Sequence, residues 1–157
     1  MKVIALQGKP MSGKTPTIKK IIKKIIEDEI FNLCAGQDKN KILNYCQQVH
    51  RDLNCKFEYN GIKIGITTRG DDENSLRNDF EERQDCNFSD CDIVVCAMHT
   101  YGKTVDFVKK HANDGLLIHS KWVVYGDCCE QEREKANQLQ AETIIKNIKQ
   151  FLEGKVH

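Results

Sequence analysis

Residues 3–18 read VIALQGKPMSGKTPTI, and this stretch decides the fold. Its first four residues are all apolar, which is typical of a strand that is buried on both faces of a sheet. Two glycines follow, and beyond them apolar residues recur at the period of a helix. The stretch therefore predicts a buried strand, a tight loop and a helix in direct succession.

The loop between that strand and that helix has the composition of an anion-binding site. Gly8 and Gly13 allow the backbone angles with which a loop curls around a phosphate and turns its N–H groups inward. The helix that begins after Gly13 adds its unpaired N–H groups and the positive end of its dipole. Lys14 and Thr15 follow at once and bring an ammonium and a hydroxyl to the same place. We therefore expect the loop to bind phosphate.

Residues 8–15 resemble the Walker A motif, Gly-x-x-x-x-Gly-Lys-Thr, and over residues 3–18 the chain is similar to the P-loop NTPase superfamily. The resemblance implies a nucleoside triphosphate, ATP by default, bound with Mg²⁺ as its cofactor. It also implies that Lys14 reaches the β and γ phosphates while the Thr15 hydroxyl ligates Mg²⁺. The other loop residues expected to contact the nucleotide are Gly8, Lys9, Met11, Ser12 and Gly13.

Pro16 departs from the superfamily's pattern. In related proteins the residue after the Walker threonine commonly gives its backbone N–H to the α-phosphate, and proline has none. Proline suits the first turn of a helix, so the predicted fold is not affected. We expect a weaker contact with the α-phosphate, or a ligand that is held chiefly by its terminal phosphates.

A second ligand for Mg²⁺ is expected where another parallel strand ends, because ligands collect at the carboxyl edge of such a sheet. The run of residues 62–68 leads into Asp71, which is the first choice. Asp72 beside it and Asp127 after a later apolar run are the rivals, and a plain turn role for Asp71 and Asp72 stays open. Arg69 is expected to contact the γ-phosphate, with a solvated loop arginine as the alternative.

The rest of the chain alternates between strand and helix patterns. Asn60-Gly61 between two alternating runs predicts a β-hairpin over residues 55–68. Further helices are expected at 18–33, at 75–85 with Ser75 as its cap, at 104–111 and at 130–152 before Gly154. Further strands are expected at 92–98 and within 116–125, most clearly at Trp122–Tyr125. Residues 38–50 fit either a helix or a loop. This order predicts a single α/β domain over 1–157 with three layers, in which helices cover both faces of a mainly parallel sheet with one antiparallel hairpin strand.

Composition and charge indicate the kind of protein and its expected location. Hydrophobic residues make up 39% and charged residues 30%, as expected of a folded globular protein. A net charge of +1 gives no indication of nucleic-acid binding, and no apolar run approaches the roughly 20 residues that span a bilayer. Because no signal sequence is visible, the eight cysteines are expected to be reduced and the protein to be cytoplasmic.

Three functions fit these patterns. The first is a nucleotide-binding NTPase with weak Mg²⁺-dependent hydrolysis, in which Lys14, Asp71 and Arg69 are catalytic and the hairpin responds to the γ-phosphate as a switch. The second is a phosphotransferase in which residues 34–56 close over a small-molecule or nucleotide acceptor. The third is a phosphate-binding module without catalysis, which Pro16 favours because it weakens the nucleotide contact.

Overall fold

The fold is described by a computed structural model that covers residues 1–82, 86–121 and 130–155. Its strands are β1 (Lys2–Gln7), β2 (Asn32–Leu33), β3 (Asn54–Tyr59), β4 (Ile62–Thr67), β5 (Ile93–Met98) and β6 (Leu116–Ser120). Its α-helices are α1 (Lys14–Glu27), α2 (Lys39–Gln47), α3 (Glu73–Arg77), α4 (Lys103–His111) and α5 (Glu130–Lys155). A π-helical turn, Asn78–Glu82, continues α3. No helix within these three ranges is long and apolar enough to cross a membrane.

The six strands form one sheet in the order β2-β3-β4-β5-β1-β6. β1 lies inside the sheet, where it pairs in parallel with β5 on one side and with β6 on the other. β4 is parallel to β5, whereas β3 runs antiparallel to both β4 and β2. The hairpin turns at Asn60 and Gly61, whose φ angles of 48° and 79° are those that this dipeptide predicts. The mainly parallel sheet with one antiparallel hairpin strand is therefore confirmed.

Helices cover both faces of the sheet because side chains alternate along its central strands. Ile4 and Leu6 of β1 lie in a core cluster with residues of α1 and α5. Val3 and Ala5 lie in a second cluster with residues of α3 and α4, on the opposite face. All four side chains are fully buried, so β1 contributes apolar area to both clusters. The molecule therefore has the three layers that the sequence predicts.

The first helix is shorter than its apolar periodicity predicts. α1 ends at Glu27 rather than at Leu33, because Asp28 adopts an extended conformation after it. Asn32 and Leu33 instead pair with β3 as the edge strand β2. Phe31 and Leu33 still pack on the same core cluster as α1, and this explains why the apolar spacing continues past the end of the helix.

Aspartates cap the starts of α2 and α3. α3 is capped by Asp72 and not by Ser75, since the Asp72 carboxylate accepts hydrogen bonds from the backbone N–H and the hydroxyl of Ser75, at 2.8 and 2.7 Å. The ambiguous segment before the hairpin contains α2, which Asp38 caps in the same way. The strand predicted at Trp122–Tyr125 and the rival metal ligand Asp127 lie outside the described residues.

Gly154 lies within α5, although the sequence predicts that it ends this helix. A Cβ at this position would meet no atom within 4 Å. Glycine costs a helix up to about 1 kcal/mol relative to alanine, and the cost is smaller near a helix end. Gly154→Ala should therefore raise the free energy of unfolding by up to about 1 kcal/mol in urea titration. A loss of stability would show that the helix ends before Gly154 with a left-handed cap.

Candidate phosphate-binding site

The glycine loop lies where the connections of the sheet change sides. α1 follows β1 and packs on one face, while α4 follows the neighbouring β5 and packs on the other. Two adjacent parallel strands whose helices diverge leave a crevice at their carboxyl ends, and ligands of α/β proteins collect there. The loop of residues 8–13 fills the β1 side of this crevice.

The helix that follows the loop has an open start. Gly13 precedes α1 with a φ of 91° and gives it no side-chain cap. Met11 is also left-handed, with a φ of 59°, and its side chain is fully exposed at the tip of the loop. The first N–H groups of a helix have no partner within it, so those of Lys14 and Thr15 can serve an anion. Pro16, the next residue, supplies none.

Lys14 lies at the centre of the loop. Its Nζ donates hydrogen bonds to the carbonyl oxygens of Gly8, at 2.9 Å, and Lys9, at 2.8 Å, and the residue is 5% exposed. Burial lowers the pKa of Lys14, and the nearby charge of Asp71 opposes this shift. Because the hydrogen-bond partners of the ammonium are neutral carbonyls, an anion that enters the loop would stabilise its charged form.

Ser12 adds a second buried polar group to the loop. Its Oγ has no hydrogen-bond partner among the described residues, and the residue is 7% exposed. A Cβ on Gly8 would lie 2.5 Å from this oxygen, so a side chain at position 8 would displace the hydroxyl. A buried hydroxyl without a partner costs roughly 1–3 kcal/mol. A phosphate oxygen in the loop would accept its hydrogen bond and remove that cost.

Asp71 approaches the loop across an intervening strand. It follows β4, which is separated from β1 by β5. The chain passes over β5 at Gly70, where a Cβ would lie 2.1 Å from the carbonyl oxygen of Ala97. Only a residue without a side chain allows this close approach, and the charge of Asp71 then acts on Lys14. Two residues that the sequence singles out, Lys14 at the start of α1 and Asp71 after β4, are thus brought near each other.

The neighbouring aspartates Asp71 and Asp72 have different partners. The carboxylate of Asp72 is engaged by Ser75 at the start of α3, and these hydrogen bonds lower its pKa. Asp71 is held through its backbone, since the Nε2 atom of His99 lies 2.8 Å from its carbonyl oxygen. Within the described part of the chain, the Asp71 carboxylate has no hydrogen bond, so it is the one of the two that can meet a ligand.

Arg69 is held by a buried carboxylate. Its Nη1 donates to Oδ1 of Asp79 at 2.8 Å, and Asp79 is fully buried. Asp79 also accepts hydrogen bonds from Nδ2 of Asn54, at 2.7 Å, and from the hydroxyl of Thr67, at 2.6 Å. The network ties β3 and β4 to the π-helical turn and so fixes the segment that leads to Asp71. The predicted contact of Arg69 with a γ-phosphate therefore requires the guanidinium to bind Asp79 and the phosphate together, or to leave Asp79.

Thr15 and Asp71 are the predicted ligands of Mg²⁺. Within residues 1–82, 86–121 and 130–155, no three His, Cys, Asp or Glu side chains form a metal-binding group. A site for nucleotide-bound Mg²⁺ needs fewer protein groups, since phosphates and waters supply most of the oxygens. The half-buried hydroxyl of Thr15 and the carboxylate of Asp71 fit that requirement.

Two residues beside the loop have no signal in the sequence motif. A Cβ on Gly13 would lie 3.2 Å from Cε of Lys121 and 3.1 Å from Oδ1 of Asn137. Lys121 follows β6, which pairs with β1, and burial lowers the pKa of this lysine to about 8. Asn137 is buried in α5 and accepts a hydrogen bond from the hydroxyl of Thr17 at 3.1 Å. The positions of Lys121 and Asn137 beside the loop depend on the strand order and on the packing of α5, and the local sequence specifies neither.

Comparison with known proteins identifies no family for this chain. No protein-family model, no curated protein and no solved structure matches the chain. The class of the protein is therefore defined by its own geometry: a three-layer α/β protein with a glycine loop and an uncapped helix at the switch between β1 and β5.

Proposed function

We propose that this protein binds a nucleoside triphosphate with Mg²⁺ through the loop of residues 8–15 and hydrolyses it slowly. The observation that carries the proposal is the buried ammonium of Lys14, which lies among backbone carbonyls with the charge of Asp71 nearby. A cation in that position favours an anionic ligand, and an acid at its side favours a ligand that arrives with a metal ion.

Several groups around the loop favour a polyphosphate over a single small anion. Lys14 and Lys121 are both desolvated lysines, and a bound anion would raise the pKa of each toward its ordinary value. The uncapped start of α1 offers N–H groups, and Ser12 offers a hydroxyl without a partner. These donors are spread along the loop, so a chain of phosphates can engage more of them than one phosphate can.

The position of Asp71 supports a requirement for Mg²⁺. A carboxylate close to Lys14 would repel the phosphates of a metal-free nucleotide. Bound Mg²⁺ would neutralise this repulsion and would act as a Lewis acid on the phosphate oxygens. Turnover is expected to be slow, because Asp79 already engages the guanidinium that would otherwise meet the γ-phosphate.

Asp71→Asn and Asp72→Asn form a matched pair that tests the metal part of the proposal. Asp71→Asn should lower the affinity for Mg²⁺-ATP about tenfold or more, while binding of metal-free ATP should improve because repulsion is removed. Asp72→Asn should change neither affinity, since asparagine caps a helix as well as aspartate does. Calorimetric titration with and without Mg²⁺ gives all four values. A larger effect from Asp72→Asn would contradict the assignment of Asp71.

Following the γ-phosphate of labelled ATP tests the reaction. Mg²⁺-dependent binding with slow release of labelled inorganic phosphate is the expected result. Transfer of label to an added small molecule or nucleotide would instead identify a phosphotransferase. Binding that needs neither Mg²⁺ nor a nucleoside, without turnover, would identify a phosphate-binding module. Failure of ATP to bind at millimolar concentration would overturn the proposal.

A further inference from the structure

A groove between α1 and α2 begins at the first turn of α1, directly after the glycine loop. Its volume is about 530 Å³, which is in the range of small-molecule binding sites. Pro16 lines the end next to the loop, and Leu43 lines the wall formed by α2. Lysines of the two helices complete its sides: Lys19, Lys20, Lys23 and Lys39.

The groove carries positive charge that its own acids do not balance. Its four lysines face two glutamates, Glu27 and Glu134. Lys20 forms an ion pair with Glu134, across from the start of α5. Lys23 and Lys39 form no ion pair within the described ranges of the chain. The groove therefore combines an apolar wall with ammonium groups that can donate hydrogen bonds. Such a site suits a planar ligand with hydrogen-bond acceptors along its edge.

The first turn of α1 leads from the phosphate loop into the groove. Lys121 and Asn137 pack along one side of the loop. Asp71 and His99 lie on the side of β5, where Nε2 of His99 is within hydrogen-bond distance of the backbone carbonyl oxygen of Asp71. Among the described residues around the loop, Pro16 is exposed, and the groove begins beside it. A ligand whose terminal phosphates fill the loop can therefore extend over Pro16 into the groove.

We propose that the groove binds the nucleoside half of the nucleotide, an inference that rests on the proposed function of the loop. Leu43 would contact the face of the base, while Lys23 and Lys39 would donate hydrogen bonds to its edge and to the ribose. Lys20 lies four residues after Pro16 and hence on the same face of α1. Its ammonium, which pairs with Glu134 in this structure, would exchange that partner for the phosphate nearest the ribose and so replace the N–H that Pro16 lacks.

Filling the groove tests this inference, with inorganic tripolyphosphate as the ligand that has phosphates but no nucleoside. Leu43→Trp should lower the affinity for ATP about tenfold and leave that for tripolyphosphate within about twofold. Asn44→Trp places the same side chain at the adjacent exposed position of α2 and should change neither affinity. An ATP affinity that Leu43→Trp leaves unchanged would overturn the inference.

Charge reversal on α2 gives a second, independent measurement. Lys39→Glu and Lys41→Glu change the charge of the protein equally, but only Lys39 lines the groove. Lys39→Glu should weaken ATP binding more than Lys41→Glu does, and the difference should be absent with tripolyphosphate. If Leu43→Trp lowers the affinities for ATP and tripolyphosphate alike, the comparison of Lys39→Glu with Lys41→Glu tests the inference. Equal losses of ATP affinity in these two variants would overturn it. Failure of both ligands to bind the unaltered protein would overturn the function of the loop instead.

Discussion

Lys14→Ala is expected to lower the affinity for Mg²⁺-ATP about a hundredfold or more, since a hydrogen bond to a charged group contributes roughly 1.5–3 kcal/mol and this ammonium can make more than one. The Nζ of Lys14 lies at the centre of the loop, bonded to the carbonyls of Gly8 and Lys9. A phosphate in the loop would offer charged acceptors in place of these neutral ones. Calorimetric titration of the two proteins with Mg²⁺-ATP measures the loss.

The same substitution should leave the fold intact. Burial disfavours the charged form of Lys14 in the folded protein, so little stability is lost when the ammonium is removed. Lys24→Ala is the matched control, because Lys24 lies in the last turn of α1 and pairs with Glu142 at the surface. It should bind ATP as the unaltered protein does. An undiminished affinity in Lys14→Ala, with the fold preserved by circular dichroism, would rule out the loop as the nucleotide site.

The parts of the fold that local chemistry determines could be predicted from the sequence. A hairpin at Asn60-Gly61 needs positive φ at two successive residues, and few other dipeptides supply it. The run of residues 3–6 is apolar at every position because both faces of β1 are covered. Boundaries were less predictable where two elements share one core. The apolar spacing past Glu27 reflects β2 as well as α1, so periodicity alone predicts a helix that is too long.

In the candidate site, too, some residues can be predicted from local sequence and others cannot. Lys14, Thr15 and Ser12 follow from a contiguous motif, and their surroundings depend on contacts between distant parts of the chain. Lys121 lies beside the loop because β6 pairs with β1, and Asn137 does so because α5 packs on α1. Strand order and helix packing of this kind are tertiary properties that no local pattern encodes.

Gly70 shows how much a tertiary contact can add to a motif. In the sequence it is an ordinary loop glycine before Asp71. In the structure it is the point where the chain passes over β5, with no room for a side chain against Ala97. The distance between Asp71 and the loop therefore depends on Gly70, although Gly70 itself meets neither phosphate nor metal in the proposed function.

Gly70→Ala is expected both to destabilise the protein and to separate Asp71 from the loop. The new Cβ would lie 2.1 Å from the carbonyl oxygen and 2.7 Å from the Cβ of Ala97, which belongs to a strand inside the sheet. The segment after β4 must therefore move away from β5. We expect the free energy of unfolding to fall by about 1–3 kcal/mol or more, and Mg²⁺-dependent ATP affinity to fall about tenfold. Urea unfolding and calorimetric titration measure the two effects.

Gly65→Ala distinguishes loss of stability from displacement of Asp71. A Cβ on Gly65 would lie 2.6 Å from the ring of the buried Phe88, so a comparable loss of stability is expected. Gly65 lies within β4, before the carboxyl end of the strand, and its replacement leaves the crossing over β5 in place. At a temperature where both variants are folded, Gly65→Ala should keep the Mg²⁺ dependence of ATP binding and Gly70→Ala should lose it. If both variants keep it, the metal does not act through Asp71, and an acid elsewhere in the chain must hold it.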